Sequence, residues 1–161
     1  MELPKRKRNR LCCYDYSSDG GYFVTICTNH RKKILCDIGD DGNVFWTSRG
    51  IIAEKVILKI TERYPAVRVD QYVVMPNHIH LLLVFERRNT IDPAVKLGDV
   101  IGWYKYHVTK EINAAFGNAG DHVFQRSYHD HVIRGQRDYE KIWEYIATNP
   151  LRWSSDCFYV E

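Results

Sequence analysis

The segment His78–Phe85 is apolar almost throughout and follows a Pro76-Asn77 turn, and it constrains the fold more than any other part of the sequence. Residues 67–75, before the turn, alternate between two sets of side chains, as in a strand with two distinct faces. Pro and Asn favour a tight turn between such segments. We therefore predict that residues 67–75 and 78–85 form an antiparallel hairpin, with the second strand buried in a sheet.

Residue patterns predict two further strands and three helices. Residues 22–28 follow two glycines and are rich in β-branched and aromatic side chains, which is typical of a strand. A short strand over residues 44–46 follows a turn at residues 40–43. Helical spacing of apolar residues, with caps and prolines at the ends, predicts helices over about 49–63, 97–116 and 136–149. The order β-β-α-β-β-α-α indicates an α+β fold, an antiparallel sheet with covering helices.

The sequence also gives expectations for the last helix and for two segments between the elements. In the last helix, the pattern predicts that its apolar and aromatic residues face inward, namely Tyr139, Ile142, Trp143 and Ile146. Residues 123–133 show no strong period and are expected to be irregular or extended, and residues 86–94 are expected to form a polar loop.

The positive charge of the chain is concentrated at its N-terminus. The 161 residues carry a formal net charge of +3, yet residues 1–10 alone hold five basic residues against Glu2, so the remainder is slightly acidic. We predict a basic arm over residues 1–13, one domain over 14–153 and a short tail over 154–161. A basic arm of this kind is either a nucleic-acid contact or a solvated terminus.

Composition excludes several classes of protein. No apolar run approaches the ~20 residues of a membrane span, and no apolar segment follows the basic N-terminus as in a secretory signal, so no membrane partner is expected. The five cysteines form no C-x-x-C pair and are odd in number, which indicates a reducing compartment. We expect a cytoplasmic protein.

The sharpest local motif is His78-Ile79-His80. Side chains at i and i+2 of a strand point to the same face, so both imidazoles are expected to project together. Two neighbouring ring nitrogens suit a divalent metal ion that takes its other ligands from elsewhere. The alternative is two polar residues on the exposed face of a strand. A second motif, His129-Asp130-His131, lies in a polar stretch where a solvated or phosphate-contacting segment is expected.

The last predicted helix carries Lys141, Tyr145 and Asn149 at intervals of four, which places them on one stripe. A tyrosine can act as a covalent nucleophile, and the oxygen of an asparagine can bind a hard cation such as Mg²⁺. The alternative is a tyrosine at the edge of the core and an asparagine that ends the helix before Pro150. Spacing alone leaves both readings open.

Several motifs, taken in order, resemble the single-tyrosine HUH transposases. Residues 75–81, Met-Pro-Asn-His-Ile-His-Leu, resemble the M-P-N-H-x-H motif of that family, and residues 22–28 resemble its first strand. Residues 125–134 and 145–153 are similar to the C-terminal signature of one branch, the REP-associated tyrosine transposases. The resemblance covers roughly residues 14–153.

The resemblance implies a ferredoxin-like HUH endonuclease core with a defined site. It implies that His78, His80 and Asn149 bind a divalent metal, Mg²⁺ or Mn²⁺, and that Tyr145 is the nucleophile. The implied activity is cleavage and transfer of single-stranded DNA at hairpins of repetitive palindromic elements, through a 5′-phosphotyrosine intermediate, as in DNA transposition. A nucleoid-associated protein is then expected.

The chain departs from the branch pattern in places that concern DNA sequence more than chemistry. Phe124 stands where the branch usually has Trp, and Asp130 stands where it has Glu. Residues 96–101 match the usual start of the long helix only loosely. The hairpin sequence that the protein reads is therefore left open.

Basic clusters outside the catalytic motifs are candidates for contact with phosphates, since neutralising phosphates is a main source of affinity for nucleic acids. The candidate DNA-binding residues lie in the arm, after the first strand and in the C-terminal signature, and they are Lys5, Arg6, Lys7, Arg8, Arg10, Arg31, Arg126, His131 and Arg134.

Two other functions use the same residues. A domesticated protein could bind hairpin DNA through the basic surface without cutting it. A metal-dependent phosphodiesterase could use a metal-bound water at His78 and His80 and need no tyrosine. The sequence leaves open whether the protein is a monomer or a homodimer, and whether Tyr145 acts within its own subunit.

Overall fold

The computed structural model describes residues 11–87, 94–117 and 119–160. Its strands are β1 (Gly20–Cys27), β2 (Cys36–Ile38), β3 (Val44–Trp46), β4 (Val67–Val74), β5 (His78–Phe85) and β6 (His129–Val132). Its helices are α1 (Ser48–Leu58), α2 (Ile60–Arg63), α3 (Leu97–Phe116) and α4 (Gln136–Thr148). The expected basic residues of the arm, at positions 5–10, lie outside the described residues, as does most of the loop expected at 86–94.

The main sheet has the strand order β4-β5-β1-β6, with every neighbouring pair antiparallel. The chain forms two strand–helix–strand halves: β1, α1, α2 and β4 make the first, and β5, α3 and β6 make the second. Together they give the strand order of the ferredoxin-like fold. β2 and β3 form a separate hairpin. The predicted α+β class, the antiparallel sheet and the hairpin at Pro76-Asn77 are confirmed.

The two faces of the sheet have different roles. On one face the central strands pack against α1 and α3, and this contact forms the main core of the protein. On the other face Leu82 of β5 packs against Ile142 and Ile146 of α4. Because His78 and His80 share their face with Leu82 by the alternation of the strand, they lie beneath α4 and the residues that follow it.

The ends of the helices follow the expected capping chemistry. The hydroxyl oxygen of Thr47 accepts a hydrogen bond from the backbone N–H of Gly50 at the start of α1. α3 ends at Gly117, whose φ of +71° is in the left-handed region that favours glycine. The helix expected over residues 49–63 is divided into α1 and α2 near Lys59.

A β-bulge at Asp70 changes the predicted alternation of β4. Val69 lies opposite Leu83 and Gln71 lies opposite Leu82, so Asp70 has no partner of its own in the register. Because of this extra residue, the side chains after Asp70 point to the face of the sheet opposite to the one that a regular alternation predicts. Val69 and Tyr72 pack against the main core, whereas Val73 packs toward α4. The expectation of one regular alternation over residues 67–75 was therefore wrong.

One other sequence prediction needs correction. Trp143 was expected to face inward, but it is 39% exposed, because only Ile142 and Ile146 of α4 are buried against the sheet. Residues 129–132 lie in the segment expected to be irregular or extended, and they are extended: they form β6, an edge strand that pairs with β1. No helix in the described ranges has the length and apolar character required to cross a membrane.

Candidate active site

The site is built around the two imidazoles at the start of β5. As the strand alternation predicted, His78 and His80 lie on one face, and their Nε2 atoms are 3.1 Å apart. Both side chains are almost fully buried. Burial, followed by the charge of Arg31, lowers the pKa of His78 to about 3, and burial also lowers the pKa of His80 well below its usual value. Both rings are therefore neutral near pH 7, as a metal ligand must be.

Neighbouring polar groups determine which ring nitrogen of His78 carries hydrogen. The side-chain Nδ2 of Asn77 donates to the carbonyl oxygen of Phe158 over 2.8 Å, so its Oδ1 faces Nδ1 of His78 at 2.9 Å. An amide oxygen only accepts, so Nδ1 of His78 donates and its Nε2 carries a lone pair, which faces Nε2 of His80. Nδ1 of His80 lies 2.8 Å from the hydroxyl of Thr25, which can accept or donate.

α4 places Tyr145 beside this pair. Its ring centroid lies 5.3 Å from that of His80 and makes an edge contact with Phe23 at 5.9 Å. The helix period explains this position. Ile142 and Ile146 form the buried stripe of α4, and Tyr145 lies on the adjacent stripe, at the edge of the contact with the sheet. Burial and the nearby Asp156 carboxylate raise the pKa of Tyr145 to about 12, so the side chain is a neutral phenol at pH 7.

Asn149 follows α4 and is also almost fully buried. Its Nδ2 donates to the carboxylate of Asp156 over 2.9 Å. Its Oδ1 is buried and has no hydrogen-bond partner among the residues that the structure describes. A buried amide oxygen without a donor is costly unless a cation or water meets it. This orphaned oxygen is therefore a candidate ligand atom.

Asp156 is a part of the site that the sequence did not reveal. The chain reverses through a 3₁₀ turn at Pro150–Ser155, and this turn returns Asp156 to the histidine pair. One carboxylate oxygen of Asp156 and one ring nitrogen from each of His78 and His80 all lie within 4.8 Å of one another. The hydroxyl of Tyr145 also approaches the same carboxylate, at 3.5 Å. Nothing in the local pattern of residues 154–161 marks an acidic residue seven positions after Asn149 as part of a site.

The described residues at this centre fit a divalent cation. Two neutral imidazoles and a carboxylate lie together, and the neighbouring Asn149, bonded to that carboxylate, has an unpartnered amide oxygen. All of these are donor types that Mg²⁺ and Mn²⁺ accept. The other nitrogen of each histidine is held by a hydrogen bond, as is usual for metal ligands.

The candidate DNA-binding residues lie at different distances from this centre. Arg31 is exposed, has a φ of +52° and places its guanidinium 5.5 Å from the centroid of the Phe158 ring, which itself lies 4.7 Å from the centroid of the His78 ring. Arg126 is exposed and lines a groove of about 930 Å³ between α3 and residues 120–128. Arg134 is exposed, and its backbone N–H donates to Asp138.

The second H-x-H motif lies on β6 with a regular strand register. His129 lies opposite Thr25 and His131 lies opposite Phe23, so both histidines belong to the same face of the sheet as His80. His131 is already bonded to Asp138 of α4, with Nε2 2.8 Å from its carboxylate. The common face comes from the pairing of β6 with β1, which the polar sequence of this stretch does not itself indicate.

The sequence matches one protein family and is similar to two proteins of one bacterium. Residues 17–149 match the family of IS200-like transposases. A protein of Haemophilus influenzae without an assigned function is 30% identical over 97% of this chain and 94% of its own length. Another protein from the same organism, provisionally named a REP-associated tyrosine transposase, is 25% identical over 86% of this chain and 74% of its own length.

Two solved structures share the fold. The structure of a REP-associated tyrosine transposase bound to a REP hairpin superimposes with a TM-score of 0.61 and 21% identity, and the match covers 89% of this chain and 73% of that one. A crystal structure from Deinococcus radiodurans, provisionally described as a transposase, has a TM-score of 0.52 and 18% identity, with 86% and 95% of the two chains covered.

Proposed function

Because this chain belongs to the family of IS200-like transposases, we propose that it cleaves and rejoins single-stranded DNA with Tyr145 as the nucleophile. The observation that carries this proposal is the position of the Tyr145 ring beside the buried His78–His80 pair. The Asn149 amide is bonded to the Asp156 carboxylate next to that pair, and its Oδ1 has no partner among the described residues. A tyrosine at the edge of an ordinary core needs none of these neighbours.

The proposed metal ligands are His78, His80 and Asn149, and the proposed metal is Mg²⁺ or Mn²⁺. When bound, such an ion polarises a phosphodiester and stabilises the charge that develops during its cleavage. Both imidazoles are neutral at working pH, so they bind a cation without first losing a proton.

In the proposed reaction Tyr145 attacks phosphorus in line with the bond to the 3′-oxygen. The phenolic oxygen forms a bond to phosphorus, the bond from phosphorus to the 3′-oxygen breaks, and the DNA keeps a free 3′-hydroxyl. The phenol loses its proton and the departing 3′-oxygen gains one. The product is a 5′-phosphotyrosine, whose energy allows a second strand to be joined without a nucleotide cofactor.

The proposed substrate is a DNA hairpin of the repetitive palindromic type. One solved structure with this fold is bound to a REP hairpin, and the positive charge of Arg31 beside the histidine pair supports a phosphate at that place. Arg126, Arg134, His131 and the basic arm are proposed as further contacts. A protein with this substrate is expected in the cytoplasm, associated with the nucleoid.

The experiment uses hairpin oligonucleotides labelled at the 3′ end, incubated with the purified chain and Mg²⁺ or Mn²⁺. We expect a denaturation-resistant adduct that carries the label, and we expect Tyr145→Phe to abolish it. Tyr64→Phe is the matched control, since the Tyr64 hydroxyl donates to the carbonyl oxygen of Asp99 on α3 and its ring packs on the main core, on the face of the sheet opposite α4.

Other outcomes of this experiment would replace the proposal. Cleavage without an adduct would indicate hydrolysis by a metal-bound water. Tight hairpin binding without cleavage in either metal would indicate a non-cleaving, domesticated DNA-binding protein. An adduct that persists in Tyr145→Phe would assign the nucleophile to another tyrosine, with Tyr128 and Tyr139 as the next candidates.

A further inference from the structure

The residues after the 3₁₀ turn hold two side-chain amides of the site in defined orientations. The carboxylate of Asp156 accepts from Nδ2 of Asn149, and the carbonyl oxygen of Phe158 accepts from Nδ2 of Asn77. Each bond turns the Oδ1 atom of its amide away from the C-terminal segment. One Oδ1 is the orphaned oxygen of Asn149, and the other accepts from His78.

We propose that residues 156–158 complete the metal site, with Asp156 as a ligand and with Asp156 and Phe158 as the groups that orient Asn149 and Asn77. This inference rests on the proposed function, because it concerns the same metal. It adds a ligand and a positioning element that the H-x-H motif and the tyrosine helix do not contain.

The Asp156 carboxylate lies beside the histidine pair. One of its oxygens lies within 4.8 Å of ring nitrogens of both histidines, so a single ion can reach all three groups. A carboxylate beside two neutral imidazoles gives the set one negative charge, which favours a divalent cation over water. The other carboxylate contacts also hold it in place, since Oδ1 accepts from the backbone N–H of Phe158 over 2.7 Å.

The proposed roles of the two amides depend on their orientation. If the Asn149 amide were reversed, its Oδ1 would face the Asp156 carboxylate, and an N–H group, which cannot bind a cation, would stand where the proposed ligand oxygen is. If the Asn77 amide were reversed, it would donate to Nδ1 of His78, and Nε2 of that ring would then carry the hydrogen. Asp156 and Phe158 prevent both reversals because each accepts the amide N–H. Partners of this kind commonly change metal affinity by about 10- to 100-fold when they are removed.

The test measures Mn²⁺ binding to the full chain without DNA, by titration calorimetry and by the electron paramagnetic resonance spectrum of bound Mn²⁺. Asp156→Asn keeps the size of the side chain and removes its charge. We expect it to weaken Mn²⁺ binding by at least about tenfold, within the range known for removed metal partners. Asp37→Asn, at an exposed carboxylate on β2, makes the same charge change and is expected to leave the affinity unchanged.

A second set of variants separates a role in metal binding from a role in folding. In a double-mutant cycle, we expect the loss of Mn²⁺ affinity in the double variant to differ from the sum of the losses in Asp156→Asn and Asn149→Ala. The reason is that Asp156 acts partly by orienting Asn149. A chain that ends at Ser155 is expected to lose Mn²⁺ affinity at least as strongly as Asp156→Asn while its far-ultraviolet circular dichroism is retained. Nitrogen couplings from the histidines are expected to persist in the spectrum of Asp156→Asn.

Two results would overturn the inference, and they differ in what else they affect. If His80→Ala loses Mn²⁺ while Asp156→Asn and the shortened chain bind it like the wild type, the inference is wrong and the histidine site stands. If His80→Ala itself leaves Mn²⁺ binding unchanged, the metal centre of the proposed function is wrong as well. If Asp156→Asn lowers the Tm and leaves the Mn²⁺ affinity unchanged, the inference is also wrong, and Asp156 has a purely structural role.

Discussion

Tyr139 donates its hydroxyl hydrogen to Oδ2 of Asp70 over 2.7 Å, and this bond joins the helix that carries Tyr145 to the edge strand of the sheet. Asp70 can make this bond because it is the extra residue of the bulge in β4 and has no partner of its own in the strand register. Arg68 bonds to the same carboxylate. The bulge therefore provides an anchor for α4 on its own subunit, at a point 69 residues away in sequence.

We predict that Asp70→Asn destabilises the fold at pH 7 and has little effect in acid. Burial alone would raise the pKa of Asp70, but the hydrogen bonds from Arg68 and Tyr139 outweigh it and lower the pKa below its usual value. A carboxyl group whose pKa is lowered on folding stabilises the protein above its unfolded pKa, and this contribution is lost as the pH falls through the folded pKa.

Urea unfolding of the wild type and Asp70→Asn, followed from pH 7 down to pH 3, measures this effect. The difference in the free energy of unfolding is expected to be about 1–2 kcal/mol at pH 7 and to shrink toward acid pH. Asp40→Asn, at an exposed position, is the control for a general change in charge. A difference that is constant over this pH range would show that the carboxylate is not the group that anchors α4.

We predict that Ile146→Ala destabilises the protein and lowers adduct formation together. Ile146 is almost fully buried and packs α4 against Leu82. Truncation of a buried isoleucine to alanine costs about 2–5 kcal/mol. The loss also releases the helix that positions Tyr145 and Asn149. Trp143→Ala is the comparison, because that side chain is 39% exposed, and a loss of stability equal to that of Ile146→Ala would contradict the packing described.

We predict that Tyr145 acts on the histidine pair of its own subunit. α4 packs on β4 and β5 of the same chain, and the Tyr145 ring already lies 5.3 Å from the His80 ring. A mixture of Tyr145→Phe and His80→Ala proteins is therefore expected to form no adduct with a hairpin oligonucleotide. Recovery of adduct in the mixture, with neither variant active alone, would show that the helix is exchanged between subunits.

We predict that Arg31→Ala weakens hairpin binding and reduces its dependence on salt. The guanidinium is exposed beside the histidine pair, where it can neutralise one phosphate. Loss of one phosphate contact lowers the slope of log K against log salt by about one. Arg63→Ala is the matched control, since that guanidinium lies over Tyr64 at the end of α2. Equal losses in the two variants would contradict a specific role for Arg31.

We also predict that deletion of residues 1–10 weakens DNA binding and its salt dependence without unfolding the protein. These residues hold five of the basic side chains of the chain. Each neutralised phosphate contributes to affinity through release of counterions. Fluorescence anisotropy of a labelled hairpin at several salt concentrations measures both quantities. Unchanged affinity at low salt would show that the arm does not contact DNA.

The sequence predicted those parts of the site that depend on local periodicity. The period of two on β5 places His78 and His80 together, and the period of the helix places Tyr145 and Asn149 on one stripe. The family resemblance gave these residues their expected roles. Asp156 depends instead on a reversal of the chain after α4, which no periodic pattern records. Asp70 and Trp143 were misjudged because a bulge and the narrow contact of α4 with the sheet are tertiary features.

The central claim is that Tyr145 forms a covalent bond to DNA, and mass spectrometry of the trapped adduct tests it most directly. The wild-type protein is incubated with a hairpin oligonucleotide and Mn²⁺, digested with protease and nuclease, and searched for a peptide that carries a nucleotide. We expect a phosphodiester-linked nucleotide on Tyr145 alone. A nucleotide on Tyr128, Tyr139 or any other residue, or cleaved DNA with no modified peptide, would contradict it.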